Sequence, residues 1–324
     1  MATVAGVKMA VPTQGEPVSG GLTRAHMSRP SRIDVLWMGV AVLFISASGP
    51  LITATVAPAL AIAFWRCFLG SGATGVWVAF KARNEFRRLS RRQWRLIIVS
   101  GLLLGAHFAT WVPSLRFTSV ASATALVATQ PVWAALIASS RGVRIQRPVW
   151  VGMAISLGGV LVLTGVDVSL DPRQLIGDVL ALLGAVLAAA YFTVSAEARK
   201  TVSTATLTFG LYGTAALLLL FLCVLLRQPL IGFSAEAWIL ILVRTLTAQL
   251  LGHSLINKVL ATTSATVVSL AILFELPAST IIAAVALGQV PPWGIIPAAA
   301  LIVTGLVIVI RASDASERTE APPV

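Results

Sequence analysis

Ten mostly apolar runs recur along this 324-residue chain, each near the roughly 20 helical residues needed to cross a bilayer core about 30 Å thick. They lie at 33–51, 59–80, 96–115, 120–139, 148–166, 177–196, 206–226, 237–256, 262–287 and 293–310. Barrel strands would be about half as long and would alternate in polarity, so a β-barrel is excluded. Composition agrees: 11% of residues are charged and 57% hydrophobic, whereas soluble domains carry about 25% charge. That excludes a soluble enzyme and, away from the two ends, a disordered chain. The fold class left is all-α, a polytopic membrane protein of ten transmembrane helices.

Residues 1–32 are rich in Gly, Pro, Ser and Thr without periodicity and read as a disordered cytoplasmic tail; 312–324 read as a second one. The first apolar run is long enough to remain as a helix, so no cleaved signal peptide is expected. The formal charge of +12 would suggest nucleic acid in a soluble chain. Here its distribution points to a lipid bilayer instead. Nineteen of the 24 Lys and Arg fall in the two tails and the loops after the second, fourth, sixth and eighth runs, seven of them between Lys81 and Arg95. The alternate loops hold three, Arg116, Arg173 and Arg227. Positive charge stays on the cytoplasmic side, so both termini are placed there, in the cell (plasma) membrane. Seven of nine tryptophans lie near run ends, as an interfacial belt requires. Cys67 and Cys223 sit inside apolar runs and give neither a disulfide framework nor a metal site.

The chain also repeats itself. Leu115 and Leu260, each followed by a polar turn, are 145 residues apart, as are Gln130 and Glu275; His107 and His253, and Gly159 and Gly305, are 146 apart. Five spans per half is an odd number, so the second half enters the membrane from the opposite side. The expected organisation is an inverted pair, 33–166 and 167–311, with a polar pocket at the midplane lined by helices 2, 3, 4, 8 and 9.

These residues resemble the drug/metabolite transporter superfamily, specifically its ten-helix EamA-like members. The likeness rests on Ala63-Phe64-Trp65-Arg66-Cys67-Phe68-Leu69 in the second run and on Gln130-Pro131-Val132 in the fourth. Glu275-Leu276-Pro277 in the ninth run and Gly-rich fifth and tenth runs complete the ordered set. Family members have Gly-Glu after the fourth and ninth runs, where this chain has Arg141-Gly142 and Gly288-Gln289. The resemblance implies two inverted five-helix repeats and transport of small organic metabolites, in the outward direction.

Candidate site residues are the polar groups within the spans. Glu275 is the deep carboxylate, roughly 20 Å along its helix at about 1.5 Å per residue. A charge there costs about 2.5–3.5 kcal/mol on insertion scales. Proton binding removes that cost, which is how a carboxylate comes to carry protons; a structural Glu bonded to a neighbouring helix is the alternative. Arg66 and Arg244 either snorkel to the interface or line a cavity, where Arg244 is the favoured partner of Glu275 because the eighth and ninth runs adjoin. His107 and His253 are either packed core residues or matched cavity groups able to bind substrate or relay protons. Gln130, Gln249 and Asn257 serve as helix–helix glue or as ligands. Gly70-Ser71-Gly72-Ala73-Thr74-Gly75 matches a dinucleotide fingerprint, yet it lies within a span with no strand before it. There is no Walker loop and no zinc or Gly-x-Ser-x-Gly motif. The reading is therefore a gradient-driven secondary transporter, not an enzyme, with no cofactor or metal. Its partners are the bilayer, a small-molecule substrate and, where transport is coupled rather than exchange, protons. The rivals are a hydrophobic-cation exporter of the same fold and a non-transporting membrane subunit.

Overall fold

The computed structural model describes residues 30–114, 116–118, 120–164, 171–288, 290 and 293–320, so residues 1–29 of the expected N-terminal tail and 321–324 of the C-terminal one lie outside them. Among the described residues ten helices are long and apolar enough to cross a membrane: α1 (Arg32–Ile52), α2 (Ala59–Arg87), α3 (Arg91–Ser114), α4 (Ser122–Ser140), α5 (Arg147–Thr164), α6 (Pro172–Arg199), α7 (Thr204–Leu225), α8 (Ala235–Val259), α9 (Ala265–Val285) and α10 (Ile295–Ala312). Their starts follow local chemistry. Ser31 and Asp34 form a reciprocal capping box on α1, and the side chains of Ser203, Ser234 and Ser264 each accept from a backbone N–H in the first turn. Asp171 caps α6, with Pro172 at the position where its missing N–H costs nothing. Helix α10 continues as regular helix to Glu320, past the point where the pattern suggests a tail. Extending an existing helix needs no new nucleus, and polar Ala-, Glu- and Arg-containing sequence is compatible with it.

Packing between the helices follows a two-fold. Equivalent helices pair across it: α2 against α7, α5 against α10, and α4 against α9. Non-equivalent pairs come in matched sets, α3 with α6 answered by α8 with α1. The α5–α10 seam shows the rule at atomic scale. Gly152 faces Gly305, Gly159 faces Ala298, and Ser156 Oγ donates to the Ile302 carbonyl at 3.2 Å. Each of these positions in α5 has its 146-residue equivalent in α10. Membrane helices gain little by hiding apolar surface from lipid, so they associate through such small residues. Outward faces keep their apolar side chains exposed, as Leu217, Phe221 and Val224 do on α7, where lipid would meet them.

Five spans depart from a continuous α-helix among the described residues. Helix α1 turns at Ala47 and α2 is π-wound over Val78–Ala82; the breaks in α4, α8 and α9 position the site. Helix α4 divides into Val120–Val127 and Gln130–Ser140, and α9 into Ala265–Ile272 and Glu275–Leu287. The turns at 128–129 and 273–274 are 145 residues apart. Pro131 and Pro277 explain both: each lacks an N–H and crowds the carbonyl four residues before it. Shorter i→i−3 bonds take over, from Val132 N to Thr129 O and from Leu276 N to Leu273 O. In α8 the stretch Thr245–His253 is wound as a π-helix. No proline lies within it.

Candidate functional site

Arg66 lies two turns into α2, on a face of small residues that packs closely against α7 and α8. It does not snorkel: its side chain is buried, with 2% of the residue exposed. Its Nε donates to Gln249 Oε1 at 2.6 Å, and its guanidinium carbon sits 4.5 Å from the centre of the Phe108 ring. Nη2 has no protein acceptor, nor has Gln249 an acceptor for its Nε2. Room for this pair comes from Gly70, where a Cβ would fall 2.9 Å from Gln249 Cγ. The glycine that mimics a nucleotide fingerprint thus admits a side chain from α8.

The π-helix decides which α8 residues face inward. Residues five apart lie about 140° apart around an α-helix, but i→i+5 bonding puts more residues in each turn and swings them toward the same side. Arg244 and Gln249 are so related, and His253 follows one turn later. Arg244 is also buried, at 3% exposure, and its Nε donates to Ser48 Oγ at 3.1 Å where α1 bends. The carbonyl of Gln249 accepts from Tyr212 Oη at 3.2 Å and from Ser254 Oγ at 3.3 Å, which ties the segment to α7.

Glu275 starts the second half of α9 and is partly buried. No described residue donates a hydrogen bond to its carboxylate, and it joins neither ion pair among the described residues, Arg92–Glu197 and Lys200–Glu197. The cations whose charges reach it are Arg66 and Arg244. The expected contact partner, Arg244, bonds Ser48 instead.

Phe108 joins the remaining parts. The His107 ring lies beside it, 5.2 Å between centres, and the His253 ring meets it edge-on at 6.2 Å. His107 Nδ1 is 2.9 Å from the Gly184 carbonyl, an acceptor only, so the proton belongs on Nδ1. His253 Nδ1 has no partner. The polar groups continue along α8. Asn257 Nδ2 donates to the His253 carbonyl at 2.8 Å and to Tyr191 Oη at 2.6 Å. Beyond them a crevice of about 290 Å³, lined in part by Thr193, Lys200, Thr263 and Thr266, opens at the end of the bundle that carries the basic loops.

The structure thus brings Arg66, His107, Arg244, His253 and Glu275 into one electrostatic neighbourhood. Gln130 stands apart, its Nε2 donating to Ser269 Oγ at 3.0 Å to link α4 with α9. Phe108, Ser48, Tyr191 and Tyr212 belong to the site and escape a search for charged residues. One signal marks the tyrosines: the chain has two, both fall mid-span and both are almost wholly buried. Tyr212 is also the 146-residue equivalent of Arg66. Among the described residues no group of three or more His, Cys, Asp and Glu is placed to hold a metal ion, and Cys67 and Cys223 are free and buried.

No curated protein matches the sequence significantly. A solved structure described only as "Crystal structure of protein" superposes with a TM-score of 0.72 at 21% identity, covering 89% of this chain and 99% of its own. At that identity the likeness speaks for the fold alone. The sequence model of the EamA-like transporter family matches residues 32–165 and again 175–311, one match per half. With two such repeats spanning its ten membrane helices, the chain belongs to the EamA-like transporter family, multi-pass membrane transporters of the drug/metabolite type.

Proposed function

We propose that the protein is a secondary transporter that moves a small organic metabolite through the centre of the bundle by alternating access. The observation that carries this reading is the cluster drawn from both halves: Arg66 and Phe108 from the first, Gln249, His253 and Glu275 from the second. A site shared by two halves related by a two-fold is opened to either side when one half rocks against the other. Glu275 is the coupling group, since it alone of the cluster trades a full negative charge for none on taking a proton. The crevice beside Thr263 is the cytoplasmic access route, and the polar line Asn257–His253–Gln249 connects it to Arg66. Both termini are cytoplasmic and the bilayer is the plasma membrane, on the asymmetry of the basic loops. A hydrophobic-cation exporter is the poorer reading, because such cargo would meet Arg66 and Arg244.

Comparing metabolite levels inside and outside cells with and without the protein, followed by uptake into proteoliposomes, tests the proposal. At least one metabolite should shift and be carried by the purified protein. If no solute is carried under any gradient, the transport reading fails. A C-terminal reporter that is active only outside the cytoplasm should stay silent; activity would overturn the orientation.

A further inference from the structure

We infer that the transported solute is a small organic monoanion whose carboxylate is bound by Arg66 and Gln249. This rests on the transport reading above and names its substrate class.

The argument starts from unpaired donors. Buried polar side-chain atoms nearly always find a partner, and each exception calls for a cause. Here two exceptions are neighbours on bonded side chains: Arg66 Nη2 and Gln249 Nε2. Both are N–H donors. What they lack is therefore an acceptor, which a carboxylate supplies with two oxygens. A guanidinium is a fork suited to that group, and the amide oxygen of Gln249 takes only its Nε prong. A carboxylate placed here would accept from Nη2 of Arg66 and Nε2 of Gln249. Phe108 across the guanidinium face fixes the plane of the fork.

Charge gives a second, independent line. Arg66 and Arg244 are both buried, and Glu275 is the carboxylate that acts on them. Two cations against one anion leave an excess positive charge inside the bundle. A monoanion cancels it, whereas a neutral solute leaves it and a cation adds to it. Buried charge without compensation is costly, so the site discriminates by charge before it discriminates by shape.

The test pairs monocarboxylates (lactate, benzoate and indole-3-acetate) with their primary amides, together with any solute identified by the cell comparison. Thermal stabilisation of the purified protein and counterflow in proteoliposomes are both read. The carried solute should be an acid, its amide inert. Arg66→Gln should weaken acid binding about ten- to a hundredfold, the range for bonds to a charged group. Gln249→Glu guards against misfolding: it offers Arg66 an internal carboxylate, so the unliganded protein should melt higher while acid binding is lost. If a neutral or cationic solute is carried, or if Gln249→Glu still binds and carries the acid, the inference is overturned while transport stands. If wild type carries no solute of any charge, the transport reading itself has failed.

Discussion

A residue kept for a ligand should cost stability when no ligand is bound, and the Arg66–Gln249 pair allows the sign of that cost to be read. Gln249→Leu removes the 2.6 Å bond to Nε. Nη2 already has no acceptor, so the buried guanidinium is left with little beyond the Phe108 ring. A bond to a charged group contributes about 1.5–3 kcal/mol, and stranding a buried charge costs about 3–5 kcal/mol. Gln249→Leu should therefore destabilise by roughly 3 kcal/mol or more. The double change Arg66→Met, Gln249→Leu removes charge and partner together, and well-packed apolar replacements of buried pairs are neutral or stabilising by about 1–4 kcal/mol. Unfolding of the purified protein, followed by tryptophan fluorescence, should thus rank the double variant at or above wild type, with the single Gln249→Leu well below. Both variants should fail to transport. Additive losses would show that the two side chains act separately. A double variant as unstable as Gln249→Leu would make Arg66 a structural residue.

Glu275→Gln should abolish uptake driven by a pH gradient in liposomes while sparing exchange and insertion, because Gln cannot release a proton. Full pH-driven uptake by this variant would end the coupling role. The same change removes the anion that competes for Arg66 and Arg244, so it should tighten binding of a carried acid by about fivefold or more, the usual scale of site–site coupling; weaker binding would contradict the charge argument. Gly305→Ala places a Cβ 2.1 Å from Ser156 Oγ and 2.2 Å from the Gly152 carbonyl. It should cost about 1–3 kcal/mol, the usual penalty for overpacking. Gly158→Ala meets nothing within 4 Å and should be neutral or stabilising by about 0.5–1 kcal/mol. Equal melting temperatures for the two variants would refute the seam as described.

Much of the scaffold could be read from the residues because bilayer thickness, basic loops and the 145–146 residue echo all act along the chain. What escaped depends on helix rotation and winding. The spans holding Arg66 and Arg244 mix apolar with small and hydroxyl residues, so their pattern does not say which face meets lipid and which meets α7. Snorkelling and burial both stay open until α2 and α8 are seen crossing the interior of the bundle. Gln249 stood among the candidates, but its side of the helix was not legible: at α-helical periodicity it points away from Arg244, and the π-wound stretch turns the two toward the same side. Pro131 and Pro277 were visible, but a proline marks a kink without saying that the chain restarts a helix at Gln130 and Glu275. Phe108 carries no charge, and its part in the site comes from the ring faces it offers to Arg66, His107 and His253.

The two halves share their helix order and the paired breaks of α4 and α9 but differ in chemistry, and the two facts have different causes. Alternating access needs two conformations of similar free energy. A backbone in which α1–α5 and α6–α10 can exchange roles supplies them, since each state is the other with the halves swapped. The Gly152–Gly305 and Gly159–Ala298 contacts and the paired breaks in α4 and α9 obey the repeat, as the proposed alternating access requires. Binding has no such need, because an organic solute lacks a two-fold. Arg66 answers to Tyr212, Glu275 to Gln130, and Gln249 and Arg244 to Leu103 and Ile98. Charge therefore gathers on α2, α8 and α9 rather than around the axis. Only the histidines keep the repeat, and they differ in state: His107 Nδ1 is held by the Gly184 carbonyl, while His253 Nδ1 has no partner. The free nitrogen is the one on the helix that also carries Gln249 and Asn257, and on the proposed route it is the group able to change partners during transport.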